Sequence, residues 1–240
     1  MRIYGINPVL EALRAGRVTA IQLSARADSR VNEIVQLAES RGVDVRRSSA
    51  DVIERLAAGA RHQGVIAEVS DRESYDVADL VNHAAAAPLI VVFDQIEDPH
   101  NVGAILRTVD AAGADGVVRQ SRHAARLDGA AAKASAGALA HVKVAEVVNI
   151  ARALDELKDA GVWTIGLAGD AEKRYDDIDF TEPTAIVVGA EGTGLRRLVR
   201  ERCDWLVSIP LHGHVQSLNA SVAAGIVLFE AVRQRRMKKS

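Results

Sequence analysis

The sequence predicts an α/β protein in which a small α/β domain precedes a larger domain built on a parallel sheet. Short apolar runs such as Pro88–Phe93 and Thr184–Gly189 alternate along the chain with segments whose apolar residues recur at helical spacing. The runs are continuously apolar, which is typical of strands that are buried on both faces of a parallel sheet. A polar stretch at Ser70–Tyr75 separates two such alternations, and we interpret it as the boundary between the domains.

Residues 1–70 are expected to form the first domain. Its first helix is predicted over Asn7–Ala15, with Asn7 as the cap and Pro8 at the first helical position, where the missing amide hydrogen does no harm. The next helix, Asp28–Ser40, is expected to end at Gly42, because glycine tolerates the left-handed conformation that terminates many helices. The other predicted elements are strands at Ile21–Ser24, Val43–Arg47 and Gly64–Val69, and a helix at Ala50–Ala58.

Residues 71–86 are interpreted as a linker and a first helix, and residues 87–240 as the second domain. Its strands are predicted at Pro88–Phe93, Gly116–Arg119, Val142–Val144, Val162–Leu167, Ala185–Gly189 and Leu206–Ile209. Its helices are predicted at Asn101–Ala112, Leu127–Leu139, Ile150–Ala160, Leu195–Arg202 and Ser217–Arg236. Ligands of open α/β sheets bind at the carboxyl ends of the strands, so the strand-to-helix junctions of this domain are the places to look for a site.

Composition excludes several classes of protein. The chain has 240 residues and one cysteine, Cys203, which rules out an intramolecular disulfide and a cysteine-based zinc site. No apolar run approaches the roughly 20 residues of a membrane helix, and the N-terminus lacks a signal-peptide core, so we expect a cytoplasmic protein without a membrane partner. His212 and His214 have no third ligand nearby in sequence, so no metal is expected.

The net charge of −2 argues mildly against a nucleic-acid partner, yet basic residues cluster locally. Such a cluster is either a solvated face or part of an RNA contact, and the sequence leaves both readings open. The cluster in the middle of the chain consists of Arg119, Arg122, His123 and Arg126.

The first junction with chemical content runs from Asp94 to Arg107 and enters a helix. Arg107 is predicted to point away from the apolar stripe of this helix, on a side whose neighbours are small, so that another surface can approach it. The alternative is an arginine that only faces solvent. Asn101 is either a site residue or simply the helix cap.

The second junction is the glycine-rich turn Gly189–Gly194, which follows an apolar strand and permits close approach of a ligand to the backbone. It matches neither the phosphate-binding P-loop nor the dinucleotide-binding glycine pattern. Glu191 inside the turn would repel a phosphate, so the turn is not interpreted as a phosphate site. A tight turn with a solvated carboxylate is the alternative.

The third junction runs from Ile209 through Ser217 into the closing helix, which Ser217 can cap. This helix is apolar on two sides, with Val222 and Phe229 on one and Val227 on the other. A helix that is apolar on both sides is usually buried on both sides. One side can cover its own sheet and the other needs a partner, which suggests a homodimer.

Taken together and in this order, the three junctions resemble the signature motifs of the SpoU family of S-adenosylmethionine (SAM)-dependent RNA methyltransferases. The first motif is similar to Asp98-Pro99-His100-Asn101-Val102-Gly103 with Arg107, the second to Gly189-Ala190-Glu191-Gly192-Thr193-Gly194, and the third to Ser217-Leu218-Asn219-Ala220-Ser221-Val222-Ala223. The stretch Lys133–Ala138 is also similar to the family. In the first domain, Ile3–Leu13 and His62–Ala67 look like the substrate-binding domain of those members that methylate a guanosine in 23S ribosomal RNA.

The resemblance implies a catalytic domain with a deep C-terminal trefoil knot, a ribosomal-protein-like RNA-binding domain before it, and a homodimer. It implies SAM as the cofactor, held largely by backbone groups at Gly189, Glu191, Ile209 and Leu218. It also implies a catalytic set that consists of Arg107, Asn101, Glu191, Ser217 and Asn219. The implied reaction is methyl transfer from SAM to the ribose 2′-hydroxyl of a guanosine in 23S ribosomal RNA.

A guanidinium remains charged in water and is a poor base, so Arg107 is better suited to anchoring a phosphate than to removing the proton of the hydroxyl. Two alternatives stay open at this point. One is an enzyme of the same chemistry that acts on another RNA such as tRNA. The other is a non-catalytic RNA-binding factor of ribosome assembly on the same scaffold.

Overall fold

The computed structural model of the protein describes residues 2–25, 31–60, 62–70, 75–122, 124–127 and 129–238. The strands are β1 (Arg2–Tyr4), β2 (Val18–Ser24), β3 (Asp44–Ser48), β4 (Val65–Val69), β5 (Leu89–Asp94), β6 (Gly116–Gln120), β7 (Val144–Val147), β8 (Trp163–Leu167), β9 (Thr184–Gly189) and β10 (Trp205–Val207). The helices are α1 (Ile6–Arg14), α2 (Val31–Ser40), α3 (Ala50–Ala57), α4 (Val77–Asn82), α5 (Pro99–Ala112), α6 (Gly129–Ala134), α7 (Ile150–Asp159), α8 (Arg197–Arg202) and α9 (Ala220–Lys238).

The chain divides into two compact units. The first combines Met1–Arg72 with Arg126–His141, and the second combines Glu73–Ala125 with Val142–Ser240. The first crossing between the units falls within the polar stretch that the sequence marked as the boundary. Residues 126–141, however, were predicted to belong to the second domain and are part of the first unit.

The first unit is built on a mixed four-stranded sheet of order β1-β4-β2-β3. β4 runs antiparallel to both of its neighbours, and β2 runs parallel to β3. Asn7 does not cap α1, because the helix begins one residue earlier, after Gly5. The side chain of Gln63 accepts a hydrogen bond from the Ile6 amide at 3.2 Å, so a residue distant in sequence takes the place of the cap. The predicted helix Asp28–Ser40 is described only from Val31, and residues 28–30 lie outside the described residues.

The predicted helix Leu127–Leu139 is interrupted. α6 ends at Ala134, and a 3₁₀ turn follows at Ala138–Ala140. Between them Ala136 and Gly137 have φ values of +50° and +100°. A Cβ at Gly137 would clash with the side chain of Glu11 on α1. The break therefore follows from packing against α1, which the local sequence does not reveal.

Residues 126–141 depend on the N-terminal part of the first unit for their burial. α6 packs on β1, and His141 Nε2 lies 3.2 Å from Glu11 Oε2. Ala131, Ala132 and Leu139 are buried in this unit. In the first unit, the apolar side chains of this segment are thus removed from water by residues 1–72.

A shortened chain that consists of residues 73–240 is therefore expected to expose residues 126–141. Limited proteolysis with mass-spectrometric mapping should cut this fragment within 126–141 at a protease concentration that leaves the same segment of the full chain intact, because loss of its packing partners lowers the free energy of local opening. Equal protection of the segment in both chains would contradict the assignment of residues 126–141 to the first unit.

The second unit is built on a six-stranded sheet of order β10-β8-β9-β5-β6-β7, and all five strand pairings are parallel. On one face Ile90 and Val187 join a core with side chains of α4, α7 and α8. The alternate residues Val91 and Ile186 are also fully buried, and α5 and α9 pack against each other and on β6 and β9. Both faces are covered, so the predicted α/β architecture with a parallel sheet is confirmed. Across the described residues, no helix has the length and apolarity needed to cross a bilayer.

Candidate active site

Polar side chains gather at the carboxyl ends of the central strands of the six-stranded sheet. After β5, Asp98 caps α5 by accepting a hydrogen bond from the amide of His100 at 2.9 Å, and Pro99 occupies the first turn. Asn101 is therefore not the cap of this helix. Its side chain is free for another role although the residue is only 6% exposed.

Asn101 belongs to a hydrogen-bonded group with Glu191 and Asn219, one residue from each of the three junctions. Asn101 Nδ2 donates to Glu191 Oε2 at 3.1 Å. Asn219 Nδ2 donates to Asn101 Oδ1 at 2.8 Å and lies 3.5 Å from Glu191 Oε2. An ionised carboxylate only accepts hydrogen bonds, so Asn101 must turn its NH₂ group toward Glu191. Asn101 Oδ1 then faces Asn219, which must turn its own NH₂ group toward that oxygen. The side-chain orientations are thus fixed by one another.

Asn219 also determines where α9 begins. Its Oδ1 accepts hydrogen bonds from the amide of Ser221 at 2.9 Å and from Ser221 Oγ at 2.6 Å. This is the pattern of a helix cap, in which a side-chain oxygen satisfies a free amide of the first turn. The prediction that Ser217 caps the closing helix is wrong, because the helix starts three residues later, at Ala220. Ser217 is exposed and lines the adjacent cavity.

A cavity of about 610 Å³ opens beside this hydrogen-bonded group. It is formed by the carboxyl ends of β8, β9 and β10 and by the segment that leads into α9, and its size is in the range of small-molecule sites. The predicted residues that line it are Gly189, Glu191, Ile209, Ser217 and Leu218. The structure therefore brings the four expected cofactor residues to a single cavity.

The backbone wall of the cavity requires glycine at position 189. A Cβ there would lie 2.5 Å from Gly194 O and 2.5 Å from Leu195 N, far inside van der Waals contact. The close approach is made by a turn in which the Gly194 amide donates to Ala190 O at 2.9 Å. Gly192 and Gly194 have φ values of +83° and +68°, which glycine adopts without strain. Such a turn presents backbone groups to a ligand, as a cofactor held largely by backbone requires.

Arg107 lies on α5, six residues after Asn101, which is roughly 9 Å along the axis of a helix. It is exposed and is not among the residues that line the cavity. Among the residues that the structure describes, none forms a hydrogen bond or ion pair with the side chain of Arg107. Its guanidinium is therefore available to an anionic ligand that approaches from solvent.

The sequence reasoning assigned no role to Asp94, which ends β5 and is completely buried. Its carboxylate accepts hydrogen bonds from the Arg196 amide at 2.7 Å and from Arg196 Nε at 2.6 Å. Arg196 Nη2 in turn donates to Gln120 Oε1 at 3.0 Å, at the end of β6. This cluster fastens the residues after the glycine turn to two strand ends. A carboxylate at the end of an otherwise apolar strand was the available signal, since a buried charge needs a partner.

Arg119 does not form part of an exposed basic surface, because it is 5% exposed. Its Nη2 donates to Ala125 O at 2.5 Å, and its Nη1 is buried and has no hydrogen-bond partner among the described residues. Burial lowers the pKa of this guanidinium, and nearby Glu146 acts in the opposite direction. Arg119 therefore holds the loop after β6 from within, and the RNA-contact reading does not apply to it. His123 of the predicted cluster lies outside the described residues.

Replacement of Asp94 by alanine is expected to lower the free energy of unfolding by about 1–3 kcal/mol, because the Arg196 amide and guanidinium lose a buried acceptor. Urea unfolding, monitored by circular dichroism, measures this loss in the free energy of unfolding. Glu201→Ala is a matched control, since Glu201 pairs with Arg197 on the exposed surface of α8, and such a pair contributes about 0.3–0.5 kcal/mol. Equal losses in the two variants would contradict a special role for Asp94.

Within the described part of the chain, no group of three or more His, Cys, Asp or Glu side chains is placed to hold a metal ion. His212 and His214 are both exposed on the segment between β10 and α9.

Comparison with known proteins gives two family matches. A model described as the SpoU rRNA Methylase family matches residues 88–229, and one described as RNA 2′-O ribose methyltransferase substrate binding matches residues 2–75. The 23S rRNA (guanosine-2′-O-)-methyltransferase RlmB of a Burkholderia species is 44% identical over 97% of this chain and 96% of its own length. RlmB of Pseudomonas syringae is 42% identical over 99% of this chain and 97% of its own length.

A solved structure gives the same result at the level of the fold. The SpoU methyltransferase AviRb from Streptomyces viridochromogenes in complex with the cofactor AdoMet has a TM-score of 0.84 and 28% sequence identity to this chain. The match covers 99% of this chain and 91% of AviRb.

Proposed function

Because this chain belongs to the SpoU rRNA methylase family, we propose that it transfers a methyl group from SAM to the ribose 2′-hydroxyl of a guanosine in 23S ribosomal RNA. The observation that carries the proposal is the cavity behind the glycine turn with the Asn101–Glu191–Asn219 group beside it. Relatives that match nearly the whole chain and are named as 23S rRNA guanosine methyltransferases support the choice of substrate. An enzyme that modifies ribosomal RNA is expected in the cytoplasm.

The cavity fits SAM in size and in the chemistry of its walls. SAM supplies an activated methyl group on a sulfonium, so the protein needs only to hold it and to orient the acceptor. Gly189 and Glu191 would hold it from the glycine turn, and Ile209 and Leu218 from the segment between β10 and α9. The hydrogen bonds of Glu191 in the described structure reach only Oε2, so its Oε1 remains available to a ligand.

The acceptor RNA is assigned to the side of α5 that carries Arg107. A guanidinium binds a phosphate with two parallel hydrogen bonds, which would place the neighbouring ribose hydroxyl without asking the arginine to act as a base. Asn101 and Asn219 would keep Glu191 in position, and Ser217 would contribute its hydroxyl at the cavity mouth. A requirement for the 2′-hydroxyl makes RNA the substrate in preference to DNA.

The proposal extends to the architecture of the family. We assign a trefoil knot to the C-terminal part of the second unit, and the role of RNA substrate-binding domain to the N-terminal region matched at residues 2–75. We also assign a homodimer. Val222 and Phe229 on α9 are 49% and 50% exposed, whereas Val227 on the same helix is completely buried, so an apolar side of α9 remains without cover in one chain.

The test is to incubate the protein with tritiated SAM and each of three RNAs that lack modification: 23S ribosomal RNA, 16S ribosomal RNA and tRNA. A 2′-O-methyl group mapped to one guanosine of the 23S RNA is the expected result. Label on tRNA alone would overturn the substrate and keep the chemistry. Absence of label on every RNA, with SAM bound in a calorimetric measurement, would favour a non-catalytic RNA-binding factor.

A further inference from the structure

The described lining of the cofactor cavity contains three charged side chains, which are Asp170, Glu191 and Arg200. Glu191 is engaged by Asn101 and Asn219, as described above. Asp170 and Arg200 have no part in that group or in the family motifs. They bond to each other, and both still border the cavity, so their function there needs an explanation.

Asp170 follows the carboxyl end of β8 in a tight turn, in which the Ala171 amide donates to Ala168 O at 3.1 Å. Arg200 projects from α8 and binds it in a bidentate manner. Nη1 lies 2.8 Å from Oδ1, and Nη2 lies 2.9 Å from Oδ2. The planar fork of a guanidinium fixes the plane of the carboxylate that it binds. Arg200 thus determines how the Asp170 carboxylate is presented.

Stability is a poor explanation for this pair. The side chains of Arg200 and Asp170 are 38% and 70% exposed, and exposed ion pairs contribute little to folding. Each carboxylate oxygen has two acceptor positions, and Arg200 occupies one on each oxygen. The backbone amide of Asp170 also bonds to its own carboxylate, which still leaves an acceptor position open to a ligand. The bond to Arg200 also keeps the pKa of the carboxyl below its ordinary value, so it is an ionised acceptor at neutral pH.

An ionised carboxylate with an open acceptor position suits a ligand that offers hydroxyl donors. SAM carries such donors in the vicinal 2′- and 3′-hydroxyls of its ribose. In dinucleotide-binding α/β folds an acidic side chain beyond a strand end binds a ribose hydroxyl in the same chemical manner. Apolar residues for a base are close by in the same cavity, among them Leu167, Val207 and Ile209.

We propose that Asp170 binds the ribose diol of SAM and that Arg200 is the positioning residue which holds the Asp170 carboxylate toward it. The inference rests on the proposed function, because it takes SAM as the occupant of the cavity. It adds a binding residue and a positioning residue that lie outside the three motifs, and it explains why an ion pair of little value for stability borders this cavity.

The test measures binding, so it does not depend on finding the RNA substrate. Isothermal titration calorimetry is performed with S-adenosylhomocysteine, which is the product form of the cofactor, and with its 2′,3′-dideoxyribose analogue. Asp170→Asn is expected to weaken S-adenosylhomocysteine about ten- to a hundredfold, as loss of hydrogen bonds to a charged group does. The dideoxy analogue, which has no diol, should bind to the wild type and to this variant with equal affinity.

Arg200→Lys keeps the positive charge and removes the fork, so it should weaken S-adenosylhomocysteine by less than Asp170→Asn does. In the double variant it should add nothing further, since Arg200 acts only through Asp170. Asp176→Asn is the matched control. Asp176 also receives two hydrogen bonds from one arginine, from Arg174 Nε at 2.9 Å and Arg174 Nη2 at 2.7 Å, and it does not line the cavity. This control should bind S-adenosylhomocysteine as the wild type does.

Equal weakening of both ligands by Asp170→Asn, or weakening of neither, overturns the inference and leaves the proposed function intact. A loss in Asp176→Asn as large as that in Asp170→Asn also overturns it, because the effect would then follow from any lost ion pair. A wild type that does not bind S-adenosylhomocysteine overturns the inference together with the proposed function. Thermal unfolding of each variant confirms that the comparison is made between folded proteins.

Discussion

Replacement of Arg107 by alanine is expected to lower methyl transfer to RNA by about 10²–10³-fold, the usual cost of removing a charged group that acts on the reacting centre. Binding of SAM should not change, because Arg107 lies on the exposed side of α5 and is not among the residues that line the cavity. Single-turnover transfer from tritiated SAM to 23S ribosomal RNA measures the first effect, and calorimetry with S-adenosylhomocysteine measures the second.

Two further variants test whether the effect depends on the guanidinium group of Arg107. Arg107→Lys keeps the charge without the bidentate fork, so partial recovery at most is expected if the arginine anchors a phosphate. Arg152→Ala is the control, because Arg152 is also an exposed helical arginine, on α7, whose partner is Glu156. Full activity of Arg107→Ala, or an equal loss in Arg152→Ala, would contradict the role assigned to Arg107.

Replacement of Gly189 by alanine is expected to weaken SAM binding by about ten- to a hundredfold. The added methyl group would overlap the backbone of Gly194 and Leu195, which cannot yield without moving the glycine turn. Overpacking of this kind costs about 1–3 kcal/mol, and each 1.4 kcal/mol corresponds to a tenfold change in affinity. Because the turn forms one wall of the cavity, the strain should appear in the Kd for S-adenosylhomocysteine and in the KM for SAM.

The control for this prediction lies in the same cavity. Gly169 lines it too, but a Cβ at that position meets no atom within 4 Å. Gly169→Ala should therefore bind S-adenosylhomocysteine as the wild type does. If Gly189→Ala binds it with unchanged affinity, the close approach at position 189 is not needed for the cofactor. If both variants lose affinity equally, the loss cannot be attributed to contact with the glycine turn.

The elements that the sequence located well are those whose signals are local. The apolar runs that form β5 and β9 were predicted as strands because a continuously apolar composition is typical of strands buried on both faces, and both strands are buried. The helix predicted over Asn101–Ala112 is α5, which ends where it was predicted and begins two residues earlier, at Pro99, because Asp98 is its cap. Errors occurred where a distant residue took over a local role. Gln63 replaces a cap for α1, and Glu11 requires the break after α6.

The candidate site also combines residues that local motifs identify with contacts that the local sequence does not reveal. Asn101, Glu191 and Asn219 were found because each belongs to a motif that is contiguous in sequence and ends a predicted strand or begins a helix. That the three form one hydrogen-bonded group could not be read from the chain, since the separations in sequence are 90 and 118 residues. The bond between Asp94 and Arg196 was missed for the same reason, because it joins positions 102 residues apart, although the carboxylate at the end of an apolar strand was a signal for Asp94 alone.

The sequence by itself thus determined the α/β class, because composition and periodicity carry it directly. The family and SAM as the cofactor followed from the resemblance of its three motifs to those of the SpoU family. Only the tertiary structure decided which oxygen faces which amide, which charges are buried, and that residues 126–141 belong to the first unit. Those features depend on side chains that meet across strand ends from distant parts of the chain. Their geometry is set by packing and by the cost of burying unpaired polar groups, neither of which is a property of any one segment.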